Sequence, residues 1–343
     1  MSALVTSSPL PVAFRGIRSA RNGEAVKTAV DRIITDCTAF ARGAFKGPDS
    51  RGEGATGMQM TNQIPAWPRG PVLVTGASSG IGLATVKELR RTGFQVFGTL
   101  RRREDAQRLE DEGVVPLLMD LARPESIAEG VTELQAFLPN SSLAGLVNNA
   151  GIAITGPWEH LGLQEIREVF EVNVLGAIAV TQALLPLLRA GRGRIVMISS
   201  VSGRLAAPFV GPYTASKYAV EAVCDSLRRE LAGHGVTVTL VEPGPVATSL
   251  WSKIEGQVER FKDTAYGPAL RRFGEISAVS MRHAIPPERV AVVVREALTR
   301  RRPPLRVGVG PGTGLLLRLQ LLLPDRLIDR ILKGQLSSGP PSA

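Results

Sequence analysis

The sequence predicts an α/β fold in which one doubly wound parallel sheet is covered by helices on both faces. From residue 71 onward, short apolar runs typical of buried strands alternate with amphipathic runs typical of helices. The chain has 343 residues and is 44% apolar, which is enough for an α/β core of about 200–250 residues. We therefore predict an irregular, poorly ordered extension over 1–70, one sheet domain over 71–310 and a Leu-rich amphipathic tail over 311–343.

The net charge of +10 is concentrated at the two ends of the chain. Residues 1–70 carry +4 and residues 301–343 carry +5, whereas the long segment between them carries only +1. A nearly neutral centre argues against nucleic-acid binding, while basic ends suit an anionic surface such as lipid headgroups, or are simply solvated tails. Two distant cysteines and three isolated histidines predict neither a disulfide framework nor a metal site.

The first apolar run, residues 72–74, leads into the glycine-rich turn TGASSGIG, and an amphipathic run follows at 83–91. This order is typical of the first unit of a Rossmann-like, dinucleotide-binding sheet. A pyrophosphate approaches the N–H groups of the helix N-terminus, and a Cβ at Gly76 or Gly80 would block it or forbid the turn. Gly82 lets the helix pack closely on the strand. The predicted contacts are Thr75, Gly76, Ser78, Ser79, Gly80, Ile81 and Gly82.

The end of the second strand, residues 95–99, predicts which dinucleotide is bound. A carboxylate at this place would hydrogen-bond the free 2′-hydroxyl of the adenosine ribose. Here Leu100 and then Arg101 follow the strand, and a guanidinium suits the 2′-phosphate of NADP. We therefore predict NADP, bound as NADPH, rather than NAD. The alternative is that Arg101 belongs to a solvated basic turn.

A polar residue and a tyrosine–lysine pair follow further along the chain. The fourth strand, 143–147, runs into NNAG, and the long helical stretch that follows, 161–188, contains Asn173 among apolar residues. A buried amide needs partners, so a local kink satisfied by water is one interpretation of Asn173. Tyr213 and Lys217 form Y-x-x-x-K, which places both on one helix face.

The tyrosine–lysine pair predicts proton-transfer chemistry. A cation beside Tyr213 favours the phenolate and lowers the pKa of the hydroxyl. Such a tyrosine can exchange a proton with an alcohol or ketone oxygen. Ser200 follows the fifth strand, 194–198, and can hydrogen-bond and polarise the same oxygen.

Together these motifs resemble the short-chain dehydrogenase/reductase family over roughly residues 72–309. The Leu-rich tail and an apolar lid look like the retinol and 17-beta-hydroxysteroid dehydrogenase-like branch. The resemblance implies a catalytic tetrad in which Tyr213 is the acid/base and Ser200, 13 residues earlier, orients the oxygen. Lys217 would lower the pKa of Tyr213 and hold the ribose, and Asn173 would position a proton-relay water.

The resemblance also implies cofactor contacts beyond the glycine turn. Asp120, after the third strand at 114–119, would contact adenine, although an N-cap for the next helix is the alternative. The NNAG motif would line the cleft, and the loop after the sixth strand, 236–241, would lie beside the nicotinamide, with Val246 and Thr248 at the carboxamide. The implied contacts, with the tyrosine and lysine of the tetrad, are Asp120, Asn148, Ala150, Gly151, Tyr213, Lys217, Pro243, Gly244, Val246 and Thr248.

The rest of the chain predicts the surroundings of the site. Residues 249–284 look irregular and rich in apolar side chains, which favours a lid over an apolar substrate; a helical hairpin packed on the core is the alternative. A helix at 286–300 and a last strand at 305–309 follow. The tail at 314–333 is too interrupted to span a bilayer, and we expect it to cover the site or a subunit contact, with a membrane surface as the alternative.

We therefore predict an NADP-dependent oxidoreductase that interconverts an apolar primary or secondary alcohol and its aldehyde or ketone. The alternatives are an NAD-dependent steroid- or retinoid-like alcohol dehydrogenase and a non-catalytic, NADP-binding redox sensor. The expected partners are a small apolar alcohol or carbonyl substrate and a second copy of the chain, through the helices at 161–188 and 211–233. We expect a cytoplasmic protein without nucleic acid or metal; membrane association through the tail and organelle targeting by the N-terminus stay open.

Overall fold

The computed structural model describes residues 70–138, 142–320 and 323–337. The predicted N-terminal extension lies outside these residues except for Gly70, and so does the end of the tail. Everything below concerns the described part of the chain.

Parallel strands form the centre of the molecule. The strands are β1 (Pro71–Val74), β2 (Gln95–Leu100), β3 (Val115–Leu118), β4 (Gly145–Asn148), β5 (Arg194–Ile198), β6 (Thr237–Pro243) and β7 (Arg306–Val309). Within the described residues they make one seven-stranded sheet in the order β3-β2-β1-β4-β5-β6-β7, every neighbouring pair parallel. The order reverses between β1 and β4, and a crevice opens at the carboxyl ends of the strands at such a point.

Helices cover both faces of this sheet. The helices are α1 (Gly80–Arg91), α2 (Ala106–Glu110), α3 (Pro124–Ala136), α4 (Leu163–Phe170), α5 (Ala177–Ala190), α6 (Gly211–Glu230), α7 (Ser249–Val258), α8 (Gly267–Arg282), α9 (Pro287–Thr299), α10 (Thr313–Gln320) and α11 (Asp325–Ser337). Two large apolar clusters lie on opposite faces of the sheet. One contains Leu146 and Ile195, and the other contains their neighbours Val147 and Val196, because successive residues of a strand point to opposite faces. The predicted doubly wound α/β sheet is confirmed.

The strands agree with the sequence prediction to within one or two residues, and β4 differs most. We expected it at 143–147, but it begins at Gly145. The N–H of Leu143 donates to Leu187 O (3.0 Å), so Leu143 is bonded to the end of α5 and not to a strand. An apolar run in the sequence does not show whether its backbone bonds to a neighbouring strand or to the end of a helix.

The long helical stretch predicted at 161–188 is present over 163–190, but it is not α-helical throughout. Helices α4 and α5 are joined by a π-helical segment, Glu171–Gly176, which contains Asn173. A π-helical turn widens the helix by one residue and is frequent at functional sites. At Gly176 the segment approaches Leu121 so closely that a Cβ would lie 2.4 Å from Leu121 O.

The expectation of irregular structure at 249–284 is wrong, because α7 and α8 occupy most of this segment. The helical alternative describes it better. Phe261 and Leu270 are buried with Leu161 in a small apolar cluster of their own. The tail also forms helices, α10 and α11.

One helical stretch of the described residues, Leu163–Ala190, is long and apolar enough to cross a membrane, with a mean hydropathy of 1.6. However, 56% of its most apolar window is buried inside the protein. Core helices of soluble proteins commonly have this composition, so the stretch is weak support for a membrane span.

Candidate functional site

The glycine turn after β1 has the geometry that its sequence predicts. Gly76 (φ +64°) and Gly80 (φ +54°) both lie in the left-handed region that side chains disfavour. A Cβ on Gly76 would lie 2.9 Å from Ala150 Cα, and one on Gly82 would lie 2.1 Å from Gly76 O. The turn therefore packs directly on the end of β4, and helix α1 packs directly on the turn.

Helix α1 begins beside this turn with an uncapped N-terminus. Ser79 precedes it in an extended conformation, makes no side-chain capping bond, and no acidic residue stands in the first turn. Free N–H groups and the positive end of the helix dipole favour an anion here. Together with the positive-φ glycines, these N–H groups form a cradle that suits an anion such as a pyrophosphate.

A cleft of about 800 Å³ runs along the carboxyl ends of the strands and contains this cradle. Most of the residues that the sequence predicts for the site line it. They are Gly76, Ser78, Ser79, Gly80, Ile81, Arg101, Asp120, Ala150, Gly151, Ser200, Tyr213, Lys217, Pro243, Gly244, Val246 and Thr248.

Four predicted residues lie behind the cleft wall instead: Thr75, Gly82, Asn148 and Asn173. The Oγ1 of Thr75 accepts from the N–H groups of Asn149 (3.0 Å) and Ala150 (3.1 Å), so it holds the backbone segment that forms this wall of the cleft. Asn148 points away from the cleft, since its Nδ2 donates to Thr181 Oγ1 (2.9 Å). Its neighbour Asn149 lines the cleft and was missed.

Ser200, Tyr213 and Lys217 meet at one end of the cleft. Ser200 follows β5, where its Oγ accepts from Ser202 N (3.1 Å), and it is close enough to Tyr213 to lower the pKa of that hydroxyl. Helix α6 carries Tyr213 and Lys217 one turn apart, and Lys217 Nζ lies 5.7 Å from the centre of the Tyr213 ring. Lys217 Nζ also donates to Ile198 O (2.8 Å), which fixes the ammonium against β5.

Burial controls the protonation of both titratable groups. It raises the pKa of the Tyr213 hydroxyl, and the bond to Ser200 opposes that rise. It lowers the pKa of Lys217 to about 8, so the ammonium stays charged at neutral pH. The sequence argument expected Lys217 to lower the pKa of Tyr213, but in this structure that pKa is raised: loss of water around the phenol is the largest effect, and Ser200 is the neighbour that opposes it.

Asn173 is fully bonded to protein. Its Oδ1 accepts from Ile152 N (2.8 Å), and its Nδ2 donates to Ile152 O (2.9 Å) and to Ser216 Oγ (2.9 Å). The side chain thus joins the segment after β4 to helix α6, between Tyr213 and Lys217. The local interruption of the helix that the sequence suggested is present, and protein groups bond both the oxygen and the nitrogen of the amide.

The opposite end of the cleft is rich in guanidinium groups. Arg101, Arg102 and Arg108 line it. Asp105 lies there as well, but it pairs with Arg102 (Nη2–Oδ2 3.2 Å). Arg108, which the sequence argument missed, donates from Nη1 to Ser78 O (3.3 Å) and so stands against the glycine turn.

Asp120 also lines the cleft, on the far side of β2. Its Oδ1 accepts from Ala122 N (3.1 Å), and its own N–H donates to Ser126 Oγ (3.0 Å). The N-cap of α3 is Arg123, so the alternative of an N-cap at Asp120 is wrong. Asp120 instead closes the turn before that helix.

A buried group of charges lies behind Lys217. Glu242 on β6 is 3% exposed and pairs with Arg204 (Oε1–Nε 2.9 Å). Arg306 on β7 pairs with Glu221 on α6 (Nε–Oε2 3.0 Å) and also approaches Glu242 (3.9 Å). Burial, followed by the charge of Glu221, raises the pKa of Glu242 to about 7.

The raised pKa of Glu242 predicts a pH-dependent stability. The folded protein keeps this proton up to about pH 7, whereas the unfolded chain loses it near pH 4.5. The stabilisation is therefore complete below pH 4.5 and is lost as the pH rises through 7. We expect the free energy of unfolding of the wild type, relative to Glu242→Gln, to fall across this window in urea titrations. Parallel pH curves for the two proteins would contradict the assignment.

The fold and the site define a class: a nucleotide-binding α/β protein with a serine–tyrosine–lysine cluster at its cleft. Comparison with known proteins makes this specific, because the family model described as short chain dehydrogenase matches residues 71–259. The chain therefore belongs to the short-chain dehydrogenase family, and the resemblance found in the sequence is confirmed.

Several relatives are similar over most of their length. The chain is 37% identical over 267 residues to the NADPH-dependent 3-dehydrocapnine reductase of Ornithobacterium rhinotracheale, covering 76% of this chain and 94% of that protein. It is 35% identical over 280 residues to retinol dehydrogenase 5 of Mus musculus, covering 76% and 87%. A solved short chain dehydrogenase from Burkholderia cenocepacia in complex with NADP is 25% identical, with a TM-score of 0.59 and coverage of 78% and 98%.

Proposed function

We propose that this protein is an NADP-dependent oxidoreductase that interconverts an apolar alcohol and its ketone or aldehyde. The observation that carries the proposal is that Ser200, Tyr213 and Lys217 line the same cleft as the glycine turn. A group bound on the turn and a substrate beside Tyr213 would therefore share one enclosed space. A redox sensor without turnover would need the turn but not the serine–tyrosine–lysine cluster.

The residues present fit a nicotinamide dinucleotide. The glycine turn and the uncapped start of α1 would hold the pyrophosphate, and Lys217 would hold a ribose. Val246 and Thr248 would contact the carboxamide. When bound, the nicotinamide supplies or accepts the hydride of the reaction.

The chain's own residues would handle the proton. Reduction of a carbonyl needs a proton at its oxygen, and the Tyr213 hydroxyl would give it; in alcohol oxidation the tyrosine would take the proton back. Ser200 would donate a hydrogen bond to the same oxygen and polarise it. The cationic Lys217 stabilises the phenolate that Tyr213 becomes after giving its proton.

The substrate end of the cleft supports an apolar substrate. Ile152, Ala153 and Leu250 line it near Tyr213. Leu250 belongs to α7, and Gln257 of the same helix accepts from Thr155 N (2.6 Å), which holds α7 over this end. An apolar wall with few polar groups favours an apolar ligand over a sugar or an acid.

The adenosine end supports NADP over NAD. Of the three arginines that line this end, Arg102 pairs with Asp105, whereas Arg101 and Arg108 do not. Their guanidinium groups would bind the 2′-phosphate of NADP. The similarity to an NADPH-dependent reductase and to a structure with NADP agrees with this preference.

The two arginines give a direct test of cofactor choice. We expect Arg101→Ala and Arg108→Ala each to weaken NADPH binding about tenfold or more, because each removes a charge-assisted contact to the 2′-phosphate. NADH binding should change by less than about twofold. Fluorescence titration of both cofactors measures this.

Arg103→Ala is the matched control, since Arg103 is a neighbouring exposed arginine outside the cleft lining. Equal losses for NADPH and NADH in the Arg101 and Arg108 variants, or an equal loss in the control, would contradict a 2′-phosphate site.

The proposal extends to the organisation of the protein. We place the enzyme in the cytoplasm, with its catalytic domain at 71–310 followed by the amphipathic tail at 311–343. A second copy of the chain would contact the helices that include Leu175 and Tyr218, whose exposed fractions are 50% and 43%. The tail would be the point of any peripheral membrane contact.

A further inference from the structure

A line of charged side chains runs along helix α6 behind the cleft. Lys217, Glu221 and Asp225 follow one another at four-residue spacing, so they project from one helix face. Lys217 and Glu221 are buried, with exposed fractions of 5% and 7%. An ammonium and a carboxylate therefore lie one turn apart in the protein interior.

The carboxylate of Glu221 is held from the edge of the sheet. Arg306 on β7 contacts Glu221 Oε2 through Nε (3.0 Å) and Asp225 Oδ1 through Nη2 (2.9 Å). Strand β7 lies beyond residues 71–259, the part matched by the family model. A buried carboxylate needs such a partner to remain charged.

A second buried carboxylate, on strand β6, lies beside this pair. Glu242 lies close to Arg306 (3.9 Å) and pairs with Arg204. Burial and the neighbouring Glu221 charge raise the pKa of Glu242 to about 7. Glu242 therefore keeps its proton up to about pH 7, beside the ion pair of Arg306 with Glu221.

Among the described residues, the groups that the ammonium of Lys217 contacts directly are uncharged. Its hydrogen bond goes to a carbonyl, Ile198 O, and its pKa is already lowered to about 8 by burial. Tyr213 faces it as a phenol. Cys224 faces it as well, but burial raises the pKa of that thiol to about 12, so the thiol is uncharged. The nearest carboxylate on its helix face is that of Glu221, which pairs with Arg306.

We propose that Glu221 is a positioning residue for the reaction: its carboxylate, held by Arg306, keeps the ammonium of Lys217 charged and in place beside Tyr213. The proposal rests on the proposed function for the role of Lys217 in the reaction, but the electrostatic link itself needs no turnover. Glu221 acts through Lys217 and does not touch the substrate.

The test is a pH titration of Lys217 in the full-length protein. Protein labelled with carbon-13 at lysine Cε reports the titration by NMR, and the Lys217 signal is identified by its loss in Lys217→Met. We expect Glu221→Gln to lower the midpoint by about one pH unit. Asp225→Asn is the matched control, because it also removes an Arg306 partner but one turn farther from Lys217.

A second readout is the alkaline limb of the pH profile of NADPH oxidation, which should shift down by the same amount in Glu221→Gln. Glu221→Asp keeps the charge, so its Lys217 midpoint should lie close to that of the wild type. If the Gln variant does not fold, the Asp variant is titrated in its place, and its midpoint should be lowered by less than the Gln variant's expected shift. Identical Lys217 midpoints in the wild type and the Glu221 variants, or an equal shift in Asp225→Asn, overturn the proposal. An inactive protein that still shows the NMR shift would refute the proposed function and leave this link standing.

Discussion

Replacing Tyr213 with Phe is expected to lower kcat for NADPH-dependent carbonyl reduction by about 10²–10⁴-fold, which is the usual contribution of a positioned acid/base. The substitution removes the hydroxyl, which lines the cleft beside Ser200, and it keeps the buried ring. Ser200 Oγ still accepts from Ser202 N, so the fold around it should survive. Steady-state assays with apolar ketones and aldehydes, beside NADPH titration of the same protein, separate turnover from binding.

Tyr218→Phe is the control for this variant. Tyr218 is on the same helix, and its hydroxyl donates to Arg204 O, away from the cleft lining. It should keep full activity, and both variants should bind NADPH within about twofold of the wild type. A Tyr213→Phe protein that keeps more than about a tenth of the activity would show that another group transfers the proton.

Replacing Asn173 with Leu is expected to lower the free energy of unfolding by about 2–5 kcal/mol. The change leaves Ile152 N, Ile152 O and Ser216 Oγ without their amide partner in the interior. Buried polar groups without partners cost about 1–3 kcal/mol each, and relaxation of the chain recovers part of this. Urea unfolding measures the total.

Hydrogen exchange at the Ile152 amide gives a local readout of the same variant. Its protection should fall sharply, while amides of β1 should keep theirs under conditions in which the variant is folded. A variant as stable as the wild type but inactive would mean that Asn173 acts only in proton relay and not as a link between β4 and α6.

The sheet and most of the cleft were predictable because their signals are local. Parallel strands covered on both faces are short apolar runs, and the glycine turn needs its residues within eight positions of one another. Tyr213 and Lys217 are likewise joined by the spacing of a single helix. These features require no knowledge of which distant residues meet.

The features that were missed depend on distant residues. Asn173 bonds to residues 21 and 43 positions away, and spacing along the sequence does not reveal these partners. Arg108 reaches the glycine turn from 30 positions away, and Arg306 reaches Glu221 across 85. Either Asn148 or Asn149, adjacent at the end of a strand, could face the cleft. The alternation of side chains along a strand does not decide between them, because it no longer holds where the strand becomes a loop.

The central claim is that the cleft binds a nicotinamide dinucleotide and selects the one with a 2′-phosphate. It is tested most directly by titrating the purified wild-type protein with NADPH and, separately, with NADH. We expect NADPH to bind saturably and at least about tenfold more tightly than NADH, because Arg101 and Arg108 would contact its 2′-phosphate. Tighter NADH binding would contradict the assignment of those arginines, and binding of neither would contradict the assignment of the glycine turn itself.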